Sequence, residues 1–129
     1  MSAAYGITQP DAPVWFLAHP VAGDERFTYA QNMAHIEWVA RECFRAGLLV
    51  IAPYVLTCRI LDDALPADRA LGMSVNDGVI RGLGRLLMCG HKRSSGMQHE
   101  LELVTTLLTH HVWDFVGIAD AELPGELGR

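Results

Sequence analysis

Glu100 and the short segment before it contain the residue types that chemistry on a small molecule needs. The segment "SSGMQHE" places Ser94, Ser95 and Gly96 just before this glutamate, and Asp77 stands earlier in the chain. Carboxylates serve as nucleophiles, general acids and general bases, and a Ser–Gly turn at a helix start presents N–H groups that favour an anion. A simpler interpretation stays open, in which Glu100 lies in solvent in the first turn of a helix and complements its dipole.

Four apolar runs predict the strands that would position these side chains. Residues 14–18 ("VWFLA") and 48–55 ("LLVIAPYV") are apolar throughout, as strands covered on both faces are. Residues 85–89 predict a third buried strand, and residues 112–118 ("VWDFVGI") can form a last one. We expect the first three to be adjacent, central strands.

Helical spacing of apolar residues predicts three helices between these strands. The first begins at Thr28, which can cap it, and ends before Gly47. A short helix covers residues 75–83, and a third runs from about residue 96 to 110. The inward stripe of that third helix consists of Met97, Leu101, Val104 and Leu108. Residues 56–74 are polar and interrupted by proline, so they are predicted to be a long loop and a candidate lid.

The alternation of strands and helices predicts an α/β fold, a three-layer sandwich of the Rossmann or flavodoxin-like type with a parallel sheet of four or five strands. Residues 1–129 are expected to form a single domain, with a flexible start at 1–13 and a tail at 119–129. Ligands of such sheets bind beyond the carboxyl ends of the strands. That edge would gather the segment after the first strand, the long loop and the segment that contains Glu100.

Composition excludes several classes of partner and cofactor. Half of the residues are apolar and the formal net charge is −5, which argues against binding a nucleic-acid polymer. The only lysine, Lys92, has no phosphate-loop motif around it, and no cofactor is predicted. No segment has the pattern of a signal peptide or a membrane span, and the odd, widely spaced cysteines fit reduced core thiols, so we expect a soluble, cytoplasmic protein that does not bind membranes.

The histidines show no spacing that is typical of a metal site, and no metal is predicted. The histidines considered for this role are His91, His99, His110 and His111.

Three motifs, taken in order, resemble the nucleoside 2-deoxyribosyltransferase-like superfamily. They are "FLAHPVAG" (residues 16–23), "ND" (Asn76 and Asp77) and "SSGMQHE" (residues 94–100), and the resemblance covers roughly residues 14–118. The most specific piece is the spacing S-x-G-x-x-x-E. The superfamily includes nucleoside deoxyribosyltransferases, hydrolases of the N-glycosidic bond in nucleoside 5'-monophosphates, and small uncharacterised domains frequent in phages.

The resemblance implies roles for individual residues. Glu100 would be the nucleophile at the anomeric carbon, and Asp77 would contact the substrate and help to protonate the leaving base. A serine at the position of Ser94 is similar to the monophosphate hydrolases, whereas the transferases have an acid there, so a 5'-phosphate is expected at this turn. The remaining residues that the resemblance assigns to substrate binding are His19, Pro20, Val21, Asn76, Arg93, Ser95, Gly96 and Met97.

Three positions depart from the family pattern, and one of them is Arg85, which begins the third strand where an aspartate is common. His19 replaces the usual glycine after the first strand, and Phe16 lies nearest to a tyrosine that several family enzymes place on that strand. A phenylalanine cannot donate a hydrogen bond to the glutamate.

The function expected from the resemblance is cleavage or transfer of the N-glycosidic bond of a (deoxy)nucleoside 5'-monophosphate. The alternative is a non-catalytic protein that binds a nucleotide or a nucleotide signal in the same pocket, and a third hypothesis is a scaffold with a vestigial pocket. Family members assemble as dimers or larger, with a neighbour completing each site. We therefore expect a homodimer or a larger homo-oligomer.

Overall fold

A computed structural model describes residues 12–118, which form a four-stranded, all-parallel sheet flanked by helices. The strand order is β2-β1-β3-β4, so the predicted α/β sandwich with a parallel sheet is confirmed. The tail at 119–129 and all but the last two residues of the predicted flexible start lie outside the described residues. The elements in chain order are β1 (Val14–Ala18), α1 (Tyr29–Arg45), β2 (Leu49–Ile51), α2 (Tyr54–Ile60), α3 (Pro66–Leu83), β3 (Arg85–Met88), α4 (Ser95–Thr105) and β4 (His111–Asp114).

The helices form two layers, one on each face of the sheet. The chain moves from β1 to β2 in one direction and from β2 through β3 to β4 in the other. Right-handed crossovers therefore place α1 on one face and α2, α3 and α4 on the other. The side chains agree with this, because Phe16 of β1 packs on Tyr54 of α2, whereas His19 bonds His35 of α1.

The core lies around the two central strands. Phe16 and Leu17 of β1, and Leu86 and Leu87 of β3, are completely buried. Complete burial of an apolar side chain of this size contributes about 1.5–3 kcal/mol relative to exposure. The core therefore fixes β1 and β3 most firmly, and both strands end at the edge where the functional side chains were predicted.

The start of α1 follows the prediction. Thr28 accepts a hydrogen bond from the Gln31 amide (3.1 Å), and the Gln31 side chain accepts one from the Thr28 amide (2.9 Å). This reciprocal pair is a capping box, which satisfies two N–H groups that the helix leaves unpaired. Gly47 follows the helix end with φ of 82°, a conformation that glycine adopts readily.

The prediction of a long loop over residues 56–74 is wrong. Most of this segment is helical, in α2 and α3, and α3 extends to Leu83. Pro66 opens α3, where the missing N–H costs nothing, and Asp68 lies in its first turn. The sequence hides these helices because many of their large apolar side chains face outward rather than into one buried stripe. The segment is therefore not the predicted lid.

Three smaller predictions also need correction. The second strand covers only Leu49–Ile51 and lies at the edge of the sheet, because Pro53 follows and α2 begins at Tyr54. Leu108 is fully exposed because α4 ends at Thr105. Of the cysteines predicted to lie in the core, Cys58 is exposed.

The structure also bears on the membrane prediction. Within residues 12–118, no helix has the length and apolar character needed to span a bilayer.

Candidate functional site

Glu100 lies in the second turn of α4, on the face that packs against the sheet. The helix begins at Ser95, and Glu100 is 8% exposed, next to Met97 and Val104 on the buried stripe. The interpretation as a solvent-exposed partner of the helix dipole is wrong, because that interpretation needs the first turn and contact with water. The sequence places a carboxyl group where the helix pattern would place an apolar residue.

The environment of Glu100 disfavours its charge. Among residues 12–118, no hydrogen bond or ion pair reaches its carboxyl group. Burial raises the pKa of Glu100 to about 8, and the negative charge of Asp77 adds to the shift. At neutral pH the group is therefore mostly a neutral acid in the protein without ligand.

Two further groups lie within electrostatic reach of Glu100. Tyr54 of α2 is buried, and its hydroxyl donates to the Leu17 carbonyl of β1 at 2.5 Å. Burial raises the pKa of Tyr54 well above its usual value, and the charge of Glu100 contributes to this. Asp77 of α3 is held by His99, whose Nε2 lies 3.0 and 3.2 Å from the two carboxylate oxygens. The structure thus brings Glu100, Asp77 and Tyr54 together on the α2–α4 face.

A small pocket opens between α2 and α3 beside this group. Its volume is about 110 Å³, and its lining includes Tyr54, Asn76 and Met73. The Oδ1 atom of Asn76 is buried and accepts no hydrogen bond from the described part of the chain. Such buried acceptors are rare in proteins, and this one can accept a hydrogen bond from a ligand donor.

The serine turn acts as a helix cap in this structure. The Ser94 hydroxyl accepts a hydrogen bond from the Met97 amide (3.2 Å), and the Met97 side chain is buried. Ser95 and Gly96 are exposed at the start of the helix. The turn therefore keeps its geometry without a ligand, and phosphate binding there stays a prediction.

Arg93, predicted to bind substrate, is engaged elsewhere. Its guanidinium forms an ion pair with Asp114 of β4 at 2.8 Å and contacts the Gln98 side chain. It therefore ties the α4 start to the end of β4.

A larger cavity lies on the opposite face of the sheet, beside α1. Its volume is about 410 Å³. Its lining includes His19, Arg26, Asn32, His35, His91 and Ile118. Of this set, the sequence predicted a binding role only for His19, and His91 was considered as a metal ligand without being assigned as one. The available signal was Asn32 and His35, two polar residues at helical spacing on the same side of α1 as apolar positions; the structure buries Asn32 and half-buries His35.

The first loop and the loop after β3 meet between the two pockets. Gly90 has φ of +107°, and a Cβ atom added there would lie 2.5 Å from Pro20 Cδ. The structure therefore requires glycine at this contact. Pro20 is buried in it, while Val21 accepts a hydrogen bond from the Asn32 side chain of α1. His19 and Val21 thus contact α1, through His35 and Asn32 respectively.

No group of three or more His, Cys, Asp or Glu side chains within residues 12–118 is arranged to bind a metal ion.

The fold and the site define a class of protein: a parallel α/β sandwich in which the helix after β3 carries a buried carboxyl group that no hydrogen bond from residues 12–118 reaches. The chain belongs to the family described as domain of unknown function DUF7768, whose model matches residues 13–112. This match includes Glu100, Asp77 and the lining of the small pocket. No curated protein and no solved structure matches the chain.

Proposed function

We propose that the protein cleaves or transfers the N-glycosidic bond of a (deoxy)nucleoside 5'-monophosphate, with Glu100 as the nucleophile. The observation that carries the proposal is the buried carboxyl group of Glu100, which has no partner in the described chain. Such a group destabilises the fold in its charged form, and strongly perturbed groups of this kind cluster at functional sites. The resemblance to nucleoside 2-deoxyribosyltransferase-like enzymes supplies the reaction and the substrate class.

In the first step of this reaction, the Glu100 carboxylate attacks the anomeric carbon. The bond between that carbon and the base nitrogen breaks, and the base leaves with the electron pair and takes up a proton. That proton comes from solvent, and Asp77, hydrogen-bonded to His99, is the group we assign to passing it to the base. In the second step, water or an acceptor base displaces Glu100 from the sugar.

The raised pKa of Glu100 has a consequence for this mechanism. Only the ionised group is a nucleophile, and the charged fraction increases with pH up to the pKa of about 8. A substrate that develops positive charge at the sugar would favour the ionised form. The mechanism therefore predicts that kcat/KM rises with pH and levels off near the pKa of Glu100.

The second candidate function is nucleotide binding without turnover. Two observations favour it: Glu100 is mostly neutral at neutral pH, and Phe16 cannot donate a hydrogen bond to it. A protein of this kind would use the same pocket to bind a nucleotide or a nucleotide signal.

We also propose that the protein is a homodimer or larger homo-oligomer in which a neighbour closes the site. A pocket of about 110 Å³ is smaller than the roughly 300–1,000 Å³ of small-molecule sites. Six large apolar side chains on α2, α3 and the turn between them are 40 to 70% exposed. They are Leu56, Ile60, Leu65, Leu71, Met73 and Val75. Met73 also lines the pocket, so a neighbour that covers this surface would enclose the pocket.

The test is a panel of ribonucleoside and deoxyribonucleoside 5'-monophosphates with the matching nucleosides. Released base is measured by chromatography, and binding is measured by calorimetry. Base release from a monophosphate supports the enzyme, and saturable binding without release supports the binding protein. Neither release nor binding contradicts both functions. A monomeric mass in solution at micromolar concentration contradicts the oligomer.

A further inference from the structure

His99 is the one group within residues 12–118 that bonds the side chain of Asp77, and the proposed function assigns it no step. Its Nε2 atom lies 3.0 and 3.2 Å from the two carboxylate oxygens of Asp77. Consecutive residues of a helix point about 100° apart, so Glu100 faces the sheet while His99, directly before it, faces α3. Neighbouring residues of α4 therefore supply the proposed nucleophile and the partner of the proposed proton donor.

The bond to Asp77 fixes the tautomer of the His99 ring. An ionised carboxylate can only accept, so Nε2 carries a hydrogen, and in the neutral ring Nδ1 carries a lone pair. No hydrogen bond or ion pair from residues 12–118 reaches Nδ1, and the His99 side chain is 47% exposed. The ring can therefore take up a proton from water at Nδ1 while Nε2 stays bonded to Asp77.

A second histidine–aspartate pair in the protein lacks these properties. His91 Nε2 lies 2.9 Å from Asp24, but this carboxylate also bonds a lysine and two backbone amides. The His91 side chain is only 12% exposed. Asp77 bonds only His99 among residues 12–118, so its carboxylate keeps lone pairs for a proton and for a substrate. The pair on α3 and α4 thus combines access to water with a carboxylate that is not saturated.

We propose that His99 carries the proton between water and Asp77 in both steps of the reaction. The inference rests on the proposed function, because it gives a path to the proton that Asp77 passes to the base. His99 acts through Asp77 and does not touch the substrate, so it is a positioning residue rather than a catalytic one.

The protons balance over the two steps. In the first step, Nδ1 of His99 takes a proton from water, Nε2 gives its proton to Asp77, and Asp77 gives one to the base nitrogen as the bond to the sugar breaks. The ring is left neutral, with its hydrogen on Nδ1. In the second step, the attacking water or acceptor base loses a proton to Asp77, which returns one to Nε2, and Nδ1 releases its proton to solvent. The ring thereby regains its starting tautomer.

The test compares His99→Ala and His99→Gln with the wild type, in the full chain, on the best monophosphate of the panel. We expect both variants to lose about a hundredfold in kcat with KM nearly unchanged, because general acid–base transfer contributes roughly 10²–10⁴-fold and acts in the transition state. Glutamine can donate a hydrogen bond to Asp77 but cannot carry a proton, so it separates proton transfer from orientation. The matched control His110→Ala changes an exposed histidine that bonds the Leu107 carbonyl, and it should keep the wild-type rate.

Two further measurements separate a lost proton path from a damaged fold. Added imidazole should raise base release by His99→Ala by roughly tenfold or more, because it supplies the missing ring and its proton. The 4-nitrophenyl glycoside of the same 5'-phosphorylated sugar releases a stable anion that needs no proton. Both variants should therefore release nitrophenolate in the first turnover at close to the wild-type rate.

Three results would overturn the proposal. They are base release by His99→Gln near the wild-type rate, a loss in His99→Ala that imidazole does not restore, and an equal loss in the first turnover of the nitrophenyl compound. In each of these cases a loss of base release in Glu100→Gln would leave the proposed function intact. A wild type that releases no base from any monophosphate contradicts the proposed function, and the role of His99 with it.

Discussion

Glu100 and Asp24 are two carboxyl groups at the same edge of the sheet with opposite environments. Glu100 is 8% exposed and accepts no hydrogen bond from the described chain, and its pKa is raised to about 8. Asp24 accepts from two backbone amides, a histidine and a lysine, and its pKa is well below its usual range. The contrast shows that position at the edge does not decide how an acid behaves, whereas the donors around it do.

The two environments also indicate a structural role for Asp24 and a chemical role for Glu100. Asp24 stabilises two loops in its charged form, so its environment explains its presence. Glu100 destabilises the fold when it is charged, and no hydrogen bond from residues 12–118 offsets this cost. A pair of acids whose environments push their pKa values apart is the pattern of groups with different tasks.

The largest expected effect is on the pH dependence of the free energy of unfolding, which Glu100→Gln should remove. Because the pKa of Glu100 rises from 4.5 to about 8 on folding, the wild type should lose stability between these pH values, on the order of 5 kcal/mol in total. The folded state binds the proton that the unfolded state has released over that range, so stability falls as pH rises. Glu100→Gln removes this dependence and should be the more stable protein at pH 9, as measured by urea unfolding.

The matched control is Glu102→Gln, which changes an exposed glutamate of the same helix. It should leave the pH dependence of stability as it is in the wild type. Equal pH curves for the wild type and Glu100→Gln would mean that Glu100 is not buried as described.

A somewhat smaller effect is expected at the contact that separates the two pockets. Gly90→Ala places a Cβ atom against Pro20 and forces a left-handed conformation on alanine, so it should cost about 3 kcal/mol of stability. Gly82→Ala in α3 meets nothing within 4 Å and should instead stabilise by about 0.5–1 kcal/mol. Thermal unfolding of both variants measures the difference, and similar melting temperatures would show that the two loops can move apart.

Ser94→Ala tests whether the turn before α4 binds the phosphate of the substrate. If the turn before α4 holds it, the preference of the wild type for a monophosphate over its nucleoside should narrow by about 2 kcal/mol in kcat/KM. The variant also removes a helix cap, which costs about 1 kcal/mol of stability, so the assay is run well below its melting temperature. A wild type that uses nucleosides and nucleotides equally would contradict a phosphate site in this turn.

The smallest effect is expected for Asp24→Asn, because Asp24 is partly open to solvent. Its lowered pKa means that its stabilisation is present above the usual pKa of about 4 and is lost as pH falls below it. An asparagine side chain accepts fewer hydrogen bonds and carries no charge, so the variant should be less stable at pH 7 and should change less in acid. Acid titration followed by circular dichroism checks this. Identical acid unfolding of both proteins would mean that Asp24 does not stabilise the loop.

Periodicity predicted the elements whose apolar residues face the core. Val14–Ala18 is a strand with the predicted bounds, and Thr28 caps α1 as expected. It failed for α2 and for the first half of α3, because residues such as Ile60 and Leu71 face outward, at 70 and 56% exposure, whereas the predicted helix over residues 75–83 is the second half of α3. The periodicity of apolar residues cannot indicate a helix whose apolar side chains remain exposed to solvent.

The site residues likewise differ in whether the sequence indicates them. Glu100 could be selected because its segment follows a central strand and carries the S-x-G-x-x-x-E spacing of the resemblance, and Asp77 because the same resemblance includes it. The structure brings the two carboxyl groups within electrostatic reach. The cavity beside α1 could not be predicted, because His19, His35 and His91 come from three separate segments. Only the pairing of β1 with β3 at the centre of the sheet brings these segments together.

The most direct test of the central claim is the rate of base release by Glu100→Gln beside the wild type and the Glu102→Gln control. The assay uses the best monophosphate of the panel at pH 8, where the wild-type carboxylate is substantially ionised. A glutamine keeps the size of the side chain but cannot attack the sugar, so we predict loss of base release by at least about a thousandfold, with Glu102→Gln unchanged. Base release by Glu100→Gln at a rate near that of the wild type would contradict the account.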